Sequence, residues 1–212
     1  MVVHTAGPWE RIEVWLDRYA PSYRATLNDG ASENRLAAVE RAMGVPLPED
    51  VRAWWLRANG VRPGGRHASG SLIPERYHPC SAETALATRD MQLDSQRDVY
   101  PAPLRAQLDR FVDEQTAQPA GTLPRHSGLL WLPLWLPVAE DQMGGGLFTD
   151  LRGGPQHGCV LVYANDGAPA GPVWPDVSAM WMEVADALES VDHEAFERTN
   201  EHVAGRWHVP YH

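Results

Sequence analysis

Residues 128–160 read GLLWLPLWLPVAEDQMGGGLFTDLRGGPQHGCV, and this stretch decides the fold of the chain. A dense apolar segment gives way to an acidic, glycine-rich turn, then to alternating residues and a second glycine-rich turn. Glycine adopts at little cost the backbone angles that such turns require. The pattern predicts strands at Leu129–Val138, Gly146–Leu151 and Gly158–Tyr163. The same stretch contains no recognisable nucleophile, phosphate-binding loop or metal-ligand spacing.

Amphipathic helices are predicted on both sides of this stretch. Apolar residues recur at helical spacing after Pro8, Ser32 and Pro48, and Gly44 ends the second of these segments. A last helix presents apolar residues from Val177 to Leu188. Because helices are followed by a strand meander and then by a closing helix, the predicted fold class is α+β.

The section from Asp94 to Ser127 is polar and holds four prolines. Leu104, Leu108 and Val112 mark one amphipathic helix in it, but the section has too few apolar residues for a core of its own. We therefore predict a single domain over residues 1–190 that carries a helical insertion at about 94–127. Residues 191–212 are predicted to form a polar C-terminal tail. A helix at Ser81–Leu93 and a short strand at Ser71–Pro74 are predicted before the insertion.

The composition restricts the class of partner. The formal net charge is −10, from 28 acidic and 18 basic residues. This balance argues against nucleic-acid binding, which needs basic surface for the phosphates. It suits a basic protein partner, because opposite net charge speeds encounter. An acidic surface also favours solubility, and that simpler explanation accounts for the charge as well.

Cysteine content and hydropathy indicate a soluble cytoplasmic protein. Cys80 and Cys159 are far apart and outside any CxxC motif, so neither a disulfide framework nor a cysteine zinc cluster is expected. The first ten residues lack the pattern of a signal peptide. The longest apolar stretch, Leu129–Ala139, is too short to span a bilayer and contains two prolines.

Asp141 and Asp150 flank the triple glycine, and with Trp131 and Trp135 they are the four candidate partner-binding residues. The two acids are predicted to lie near one another across a hairpin, where two carboxylates can act as acid and base or bind a cation. In the structural alternative, which we favour, Asp141 makes a turn hydrogen bond and Asp150 caps the chain or pairs with Arg152.

Trp131 and Trp135 are candidate partner-binding residues. They are an even number of residues apart, so a regular strand places both on one face. If that face is partly uncovered, the two rings can anchor a partner, because tryptophan is enriched at binding hot spots. Burial in the core is the favoured alternative.

Other catalytic and metal motifs are absent from the sequence. The nine histidines are scattered without an HxH or HxxxH pair, so no metal site is predicted. Ser127 and Ser178 lack a GxSxG context, and the glycine runs lack a P-loop lysine and dinucleotide-binding spacing. We predict neither a cofactor nor catalysis.

An ordered series of motifs identifies a resemblance. Leu47-Pro48-Glu49-Asp50 precedes a helix with two tryptophans, and Trp135-Leu136-Pro137-Val138-Ala139 leads into Asp141 and the triple glycine. The residues that carry the pattern are Leu47, Pro48, Trp54, Trp55, Gly60, Gly144, Gly146, Gly154, Gly158 and Trp174. In this order, over about residues 8–190, they resemble the Smi/Knr family of the SUKH superfamily, which includes fungal cell-wall assembly regulators and bacterial immunity proteins.

The resemblance implies a curved, mainly antiparallel sheet with helices packed against it, and a binding protein without a catalytic centre. The first hypothesis is an immunity protein that neutralises a cognate toxin, with the acidic surface matching a basic, nuclease-type toxin. The second is a regulatory adaptor of cell-wall assembly that acts through protein contacts. The third is an enzyme that uses Asp141 and Asp150. We expect a monomer or weak dimer that binds neither nucleic acid nor membrane.

Overall fold

The computed structural model describes residues 7–62, 72–73, 77–124, 130–141, 144–163 and 169–190. Seven helices and five strands lie within these residues. The helices are α1 (Pro8–Tyr19), α2 (Pro21–Arg24), α3 (Glu33–Met43), α4 (Glu49–Arg57), α5 (Ala82–Val99), α6 (Ala102–Thr116) and α7 (Val177–Ser190). The strands are β1 (His78–Pro79), β2 (Trp135–Glu140), β3 (Gly146–Asp150), β4 (Val160–Tyr163) and β5 (Ala170–Trp174). The α+β fold class is confirmed.

The strands form one open sheet in the order β1-β2-β3-β4-β5, and each strand is antiparallel to its neighbours. The pairing of β2 with β3 shifts register between Pro137 and Ala139. A second shift interrupts the pairing of β4 with β5, between Val160 and Val162. Such irregularities bend a strand locally and increase its twist.

The three strands predicted from residues 128–160 are all present, with two differences at their starts. The first strand begins at Trp135 because residues 133–134 form a turn in which the Trp135 N–H donates to the Leu132 carbonyl at 3.0 Å. The third begins at Val160, after Gly158 with its positive φ of 87°. The strand β5 was not predicted, because its glycine and proline are typical of loops. Of the predicted strand Ser71–Pro74 only Leu72 and Ile73 lie within the described residues, and Ile73 bridges to Tyr77.

The residues predicted to begin or end helices α3 and α4 lie at those helix ends in the structure. The Ser32 side chain accepts a hydrogen bond from the Arg35 N–H at 3.3 Å, which caps the start of α3. Gly44 ends this helix in the left-handed conformation, with φ 72°. Pro48 stands at the N-cap of α4, where the missing N–H costs nothing.

The two faces of the sheet belong to two core clusters. One face contributes Leu136, Val138, Leu147, Val160 and Val162, which pack with α1, α3, α4 and α7. This cluster contains the tryptophans Trp9, Trp54 and Trp181, whose ring centroids lie 4.7 to 6.1 Å apart. The opposite face, here called the insertion face, contributes Trp135, Phe148, Leu161 and Tyr163.

The predicted insertion supplies the cover of the insertion face. Leu108 and Val112 of α6 pack with the aromatic residues of this face in the second core cluster. The helix α5 continues to Val99 and therefore includes Asp94, the predicted start of the insertion. Residues 191–212 lie outside the described residues. The assignment of residues 1–190 to a single domain therefore stays a prediction. The contact of α6 with the sheet explains why residues 94–127 need no hydrophobic core of their own.

Candidate functional site

A cleft of about 150 Å³ opens where α5 passes the connected ends of β2 and β3. The cleft borders the insertion face, because Trp131 and Tyr163 form part of its wall. Its described lining is Thr88, Met91, Gln92, Trp131, Pro137, Ala139, Glu140, Asp141, Gly144, Gly145, Gly146, Leu147 and Tyr163. Thr88, Met91 and Gln92 lie on one side of α5 because they are three and four residues apart. Two of the four predicted partner-binding residues, Trp131 and Asp141, thus line one cleft.

Asp141 closes the turn between β2 and β3. Its Oδ1 accepts a hydrogen bond from the Gly145 N–H at 2.7 Å, and its own N–H donates to the Gly145 carbonyl at 2.9 Å. A Cβ on Gly145 would lie 2.7 Å from Asp141 Oδ2, so this position requires glycine while the carboxylate stays in place. The predicted turn hydrogen bond of Asp141 is confirmed.

Glu140 is a cleft residue that the sequence analysis did not single out. Its Oε1 accepts a hydrogen bond from Thr88 Oγ1, so the carboxylate is held against α5. The sequence feature that could have identified Glu140 as a site residue was its position beside Asp141, just before the triple glycine. Its partner lies 52 residues earlier in the chain, and this separation hides the contact from sequence patterns.

Asp150 lies away from the cleft, in a fully buried ion pair with Arg152. The Arg152 Nη2 is 2.6 Å from Asp150 Oδ2, and both side chains have 0% exposure. Arg152 also donates to the carbonyls of Gln115 at 2.8 Å and Thr122 at 2.9 Å. The same Oδ2 of Asp150 also accepts a hydrogen bond from the Gly121 N–H at 2.9 Å. The predicted pairing of Asp150 with Arg152 is confirmed, and it ties the end of α6 and the following loop to the sheet.

The structure does not bring Asp141 and Asp150 together. Asp150 is paired with Trp135 at one end of the β2–β3 ladder, whereas Gly146 is paired with Glu140 at the other. Four residue steps along β3 correspond to roughly 13 Å. The expectation that the two carboxylates are neighbours across a hairpin was wrong, because the register puts them at opposite ends of the strand. They therefore do not form an acid–base pair.

Trp131 and Trp135 are both buried, with 4% and 0% exposure. Trp131 precedes β2, so the even spacing within one strand does not apply, but the two rings still meet edge to face at 5.8 Å. Gln96 of α5 holds Trp131 through two hydrogen bonds, from its Nε2 to the Trp131 carbonyl at 3.0 Å and from the Trp131 N–H to its Oε1 at 2.7 Å. The burial agrees with the favoured core alternative, and Trp131 contributes to the cleft as part of its wall.

The family-motif residues occupy structural positions in the described part of the chain. Leu47, Trp54, Trp55 and Trp174 are buried in the larger core cluster. Trp55 Nε1 donates to the Cys80 carbonyl at 3.0 Å, and Trp174 Nε1 donates to Glu183 Oε2 at 2.6 Å. Positive φ angles are found at Gly60, Gly144, Gly154 and Gly158, while Pro48 caps α4 and Gly146 begins β3.

Metal-ligating and ionisable groups add little to the site. Within the described residues, no group of three or more His, Cys, Asp and Glu side chains could hold a metal ion. Of the nine histidines only His78 and His157 are described, and His157 Nδ1 lies 3.0 Å from the Arg152 carbonyl oxygen. Burial raises the pKa of Tyr163, so the hydroxyl on the cleft wall is not poised to ionise near neutrality. None of the helices in the described ranges is long and apolar enough to cross a membrane.

Comparison with known proteins agrees with the resemblance read from the motifs. Residues 30–183 match the SMI1 / KNR4 family (SUKH-1). The glucan synthesis regulatory protein of Neurospora crassa is 24% identical over 187 residues, which cover 76% of this chain and 34% of the relative. The cell wall biosynthesis/cell cycle regulator smi1 of Schizosaccharomyces pombe is 26% identical over 164 residues, covering 74% and 31%. The chain thus spans about a third of the length of these curated relatives, and both are named as regulators.

Proposed function

The chain belongs to the SMI1/KNR4 family (SUKH-1), and from this premise we propose that it is a non-catalytic, cytoplasmic module that regulates a partner protein by direct contact. The observation that carries the proposal is the match over residues 30–183 to a family whose relatives are named as regulators of glucan synthesis and cell-wall biosynthesis. A fold supports many functions, so the process itself is proposed by similarity. We propose cell-wall assembly as that process.

The geometry of the candidate acids supports a binding role over a catalytic one. Asp150 has its carboxylate enclosed by Arg152 and the Gly121 N–H, so it serves the scaffold. Asp141 stabilises a turn and lines the cleft. Because Asp141 and Asp150 lie at opposite ends of the β2–β3 ladder, they do not form the carboxylate pair that the catalytic hypothesis requires.

A second candidate function is neutralisation of a toxin. The net charge of −10 favours it, because a basic nuclease-type toxin would be attracted to an acidic protein at long range. The two candidates predict different partners. A regulator binds an endogenous protein of cell-wall synthesis, whereas an immunity protein binds a toxin and protects cells from it.

Site-directed photo-crosslinking in the native host tests the proposal. Ser95 is exposed on α5, one helical turn beyond the cleft residue Met91, so Ser95→Cys places a benzophenone maleimide beside the cleft. Asn34→Cys, exposed on α3, is the matched control. Both native cysteines are buried, so the label is directed to the introduced thiol. We expect one defined protein to be crosslinked from position 95 and not from position 34.

The identity of that protein separates the candidates. An endogenous cell-wall protein supports the regulatory function, and a toxin whose activity is blocked by the purified chain supports immunity. A crosslink to no specific protein, together with unchanged cell-wall composition and unchanged resistance to toxin after deletion of the gene, would overturn both.

A further inference from the structure

We propose that the cleft beside α5 binds a tyrosine side chain of the protein partner, with the phenol hydroxyl at its inner end. This inference rests on the proposed function and deepens it, because it gives the binding module a place of contact and the kind of residue it accepts. It follows from a buried hydroxyl without a partner, from the apolar wall and from the size of the cleft.

The hydroxyl of Tyr163 is the observation that points to a ligand. Tyr163 lines the cleft with only 3% exposure, yet its hydroxyl has no hydrogen-bond partner within the described residues. Burial is the cause of its raised pKa. The rings of Tyr163 and Trp131 meet edge to face at 5.2 Å, so the hydroxyl is held in place. A buried hydroxyl without a partner is costly, and a ligand that supplies the partner recovers this cost.

Gln92 adds a second polar group at the same end of the cleft. Its side chain is half-buried on α5, and its amide makes no hydrogen bond in the part of the chain that the structure describes. Gln92 and Tyr163 also line a small cavity of about 20 Å³ beside the cleft, whereas Met91, at 56% exposure, and the exposed Gly144 mark the rim. A ligand hydroxyl at the inner end can therefore donate to one of the two polar groups and accept from the other.

The wall of the cleft suits an aromatic ring. Two aromatic residues, Trp131 and Tyr163, lie beside apolar residues from both strands, namely Pro137, Ala139 and Leu147. The thioether of Met91 at the rim can make a favourable contact with a ring that enters the cleft. The occupant is thus expected to have an aromatic body.

The size of the cleft limits the occupant to a single ring. Its volume of about 150 Å³ is similar to that of a cavity that holds one benzene molecule. Pockets for drug-sized ligands and cofactors are larger, at about 300–1,000 Å³. Tyrosine joins one benzene ring to a hydroxyl tip and is enriched at binding hot spots. Phenylalanine would fill the same space but leave the Tyr163 hydroxyl unpaired, so tyrosine fits better.

Methionine-methyl NMR with defined probes tests the inference. The full chain, carrying ¹³C-methyl methionine, is titrated with the capped peptide acetyl-Gly-Tyr-Gly-amide, and the Met91 signal is assigned with Met91→Leu. We expect saturable shifts of the Met91 methyl resonance, caused by the ring of the bound tyrosine, with a dissociation constant in the millimolar range. The same peptide with phenylalanine is expected to bind about tenfold more weakly. Free tyrosine is the third probe and should not bind more tightly than the tyrosine peptide.

Two variants locate the effect. Tyr163→Phe removes only the hydroxyl and should abolish the preference for the tyrosine peptide over the phenylalanine peptide. Gln92→Met removes the amide at similar side-chain length and should reduce this preference at least about twofold. Tyr100→Phe, half-buried outside the cleft lining, removes a hydroxyl elsewhere and should leave the preference within about twofold.

Thermal unfolding checks the premise. Tyr163→Phe should be at least as stable as wild type, because the hydroxyl that it removes is buried without a partner. A clearly less stable or unfolded Tyr163→Phe would show that the hydroxyl is already paired and would overturn the inference.

Equal affinity for the two peptides, an absence of Met91 shifts, or an undiminished preference in Tyr163→Phe would each overturn the inference as well. Tighter binding of free tyrosine would do so too, since the occupant would then be a small molecule. The outcome is separable from that of the proposed function. A partner crosslinked from position 95 without a response to the tyrosine peptide would keep the binding module and refute its tyrosine pocket. A peptide response without any partner in the host would do the reverse.

Discussion

The guanidinium of Arg152 lies 2.6 Å from the carboxylate of Asp150, and both side chains are completely buried between the sheet and the segment that follows α6. Arg152 reaches the carbonyls of Gln115 and Thr122, so one residue joins β3 to two points of the predicted insertion. A buried ion pair of this kind need not add net stability, but loss of one partner leaves a buried charge uncompensated.

Replacement of Arg152 should therefore be severe. We expect Arg152→Met to lower the free energy of unfolding by about 3–5 kcal/mol, because Asp150 loses its counter-charge. The double variant Asp150→Asn/Arg152→Met should recover at least about 1 kcal/mol of this loss, since the uncompensated charge is gone. Urea unfolding measures both values, and hydrogen exchange over residues 102–124 should show faster exchange in Arg152→Met.

The matched control is an exposed ion pair of the same type. Arg97 and Asp109 join α5 to α6 at 3.3 Å with side chains 56% and 50% exposed. Arg97→Met should change the free energy of unfolding by no more than about 0.5 kcal/mol. If Arg152→Met costs no more than Arg97→Met, the buried pair does not hold the insertion on the sheet.

Gly60 is expected to tolerate no side chain. Its φ is +67°, and a Cβ there would lie 2.3 Å from the backbone of Cys80 and Ser81. Gly60→Ala should cost at least about 3 kcal/mol of stability, from left-handed strain and from displacement of a neighbouring backbone segment. Thermal unfolding compared with wild type measures this loss.

Gly44 allows the cost of left-handed strain to be measured apart from the cost of displacing a neighbouring backbone segment. It has a similar φ of +72°, but nothing lies within 4 Å of the position of a Cβ. Gly44→Ala should therefore cost only about 1 kcal/mol. Equal losses at the two positions would mean that close approach of the backbone at Gly60 has no energetic role.

Local signals made part of this fold predictable. The cap at Ser32 and the stop at Gly44 depend on residues within one helix, and the turn hydrogen bond of Asp141 spans four residues. Each depends only on the backbone conformation of residues that are close together in the sequence. The glycine-rich turns after β2 and β3 were predictable for the same reason.

Contacts distant in sequence were not predictable. The strand β5 exists because Val160 pairs with Trp174 and Val162 with Ala170, while its own Gly171 and Pro172 favour a loop. The cleft requires α5 to pass β2, and neither helix periodicity nor strand alternation specifies that packing. The ladder that places Asp150 opposite Trp135 contains a register shift between Pro137 and Ala139, which the sequence pattern does not reveal.

The native cysteines should be unreactive in the folded protein. Cys80 and Cys159 are buried, and burial, with the nearby charge of Asp150, raises the pKa of Cys159 to about 12. At pH 8 its thiolate fraction is then on the order of a thousandfold below that of an ordinary cysteine. Modification by a thiol-specific dye should be very slow in buffer and complete for both residues in guanidinium chloride. Ser95→Cys should add one rapidly labelled thiol, and rapid labelling of Cys159 in native wild type would contradict the burial.

The contact between α1 and α7 should weaken in acid. Hydrogen bonds from Arg11, of which the Nε–Oε1 distance is 2.9 Å, lower the pKa of Glu189. Because this pKa is lower in the folded than in the unfolded chain, the contribution to stability is complete above about pH 4.3 and is lost as the pH falls through the folded-state pKa. The side chain of Glu189 is 49% exposed, so the contribution should not exceed about 0.5 kcal/mol.

Urea unfolding of Glu189→Gln at several pH values measures this effect. The variant should be less stable than wild type near pH 6, and the two free energies of unfolding should converge as the pH falls through the folded-state pKa of Glu189, because the wild-type carboxylate becomes protonated. Salt at about 1 M should reduce the difference at pH 6, because the ion pair is exposed. Glu114→Gln, on the exposed side of α6, provides the control for a general change in charge. A difference between Glu189→Gln and wild type that does not shrink as the pH is lowered would exclude the ion pair with Arg11 as its cause.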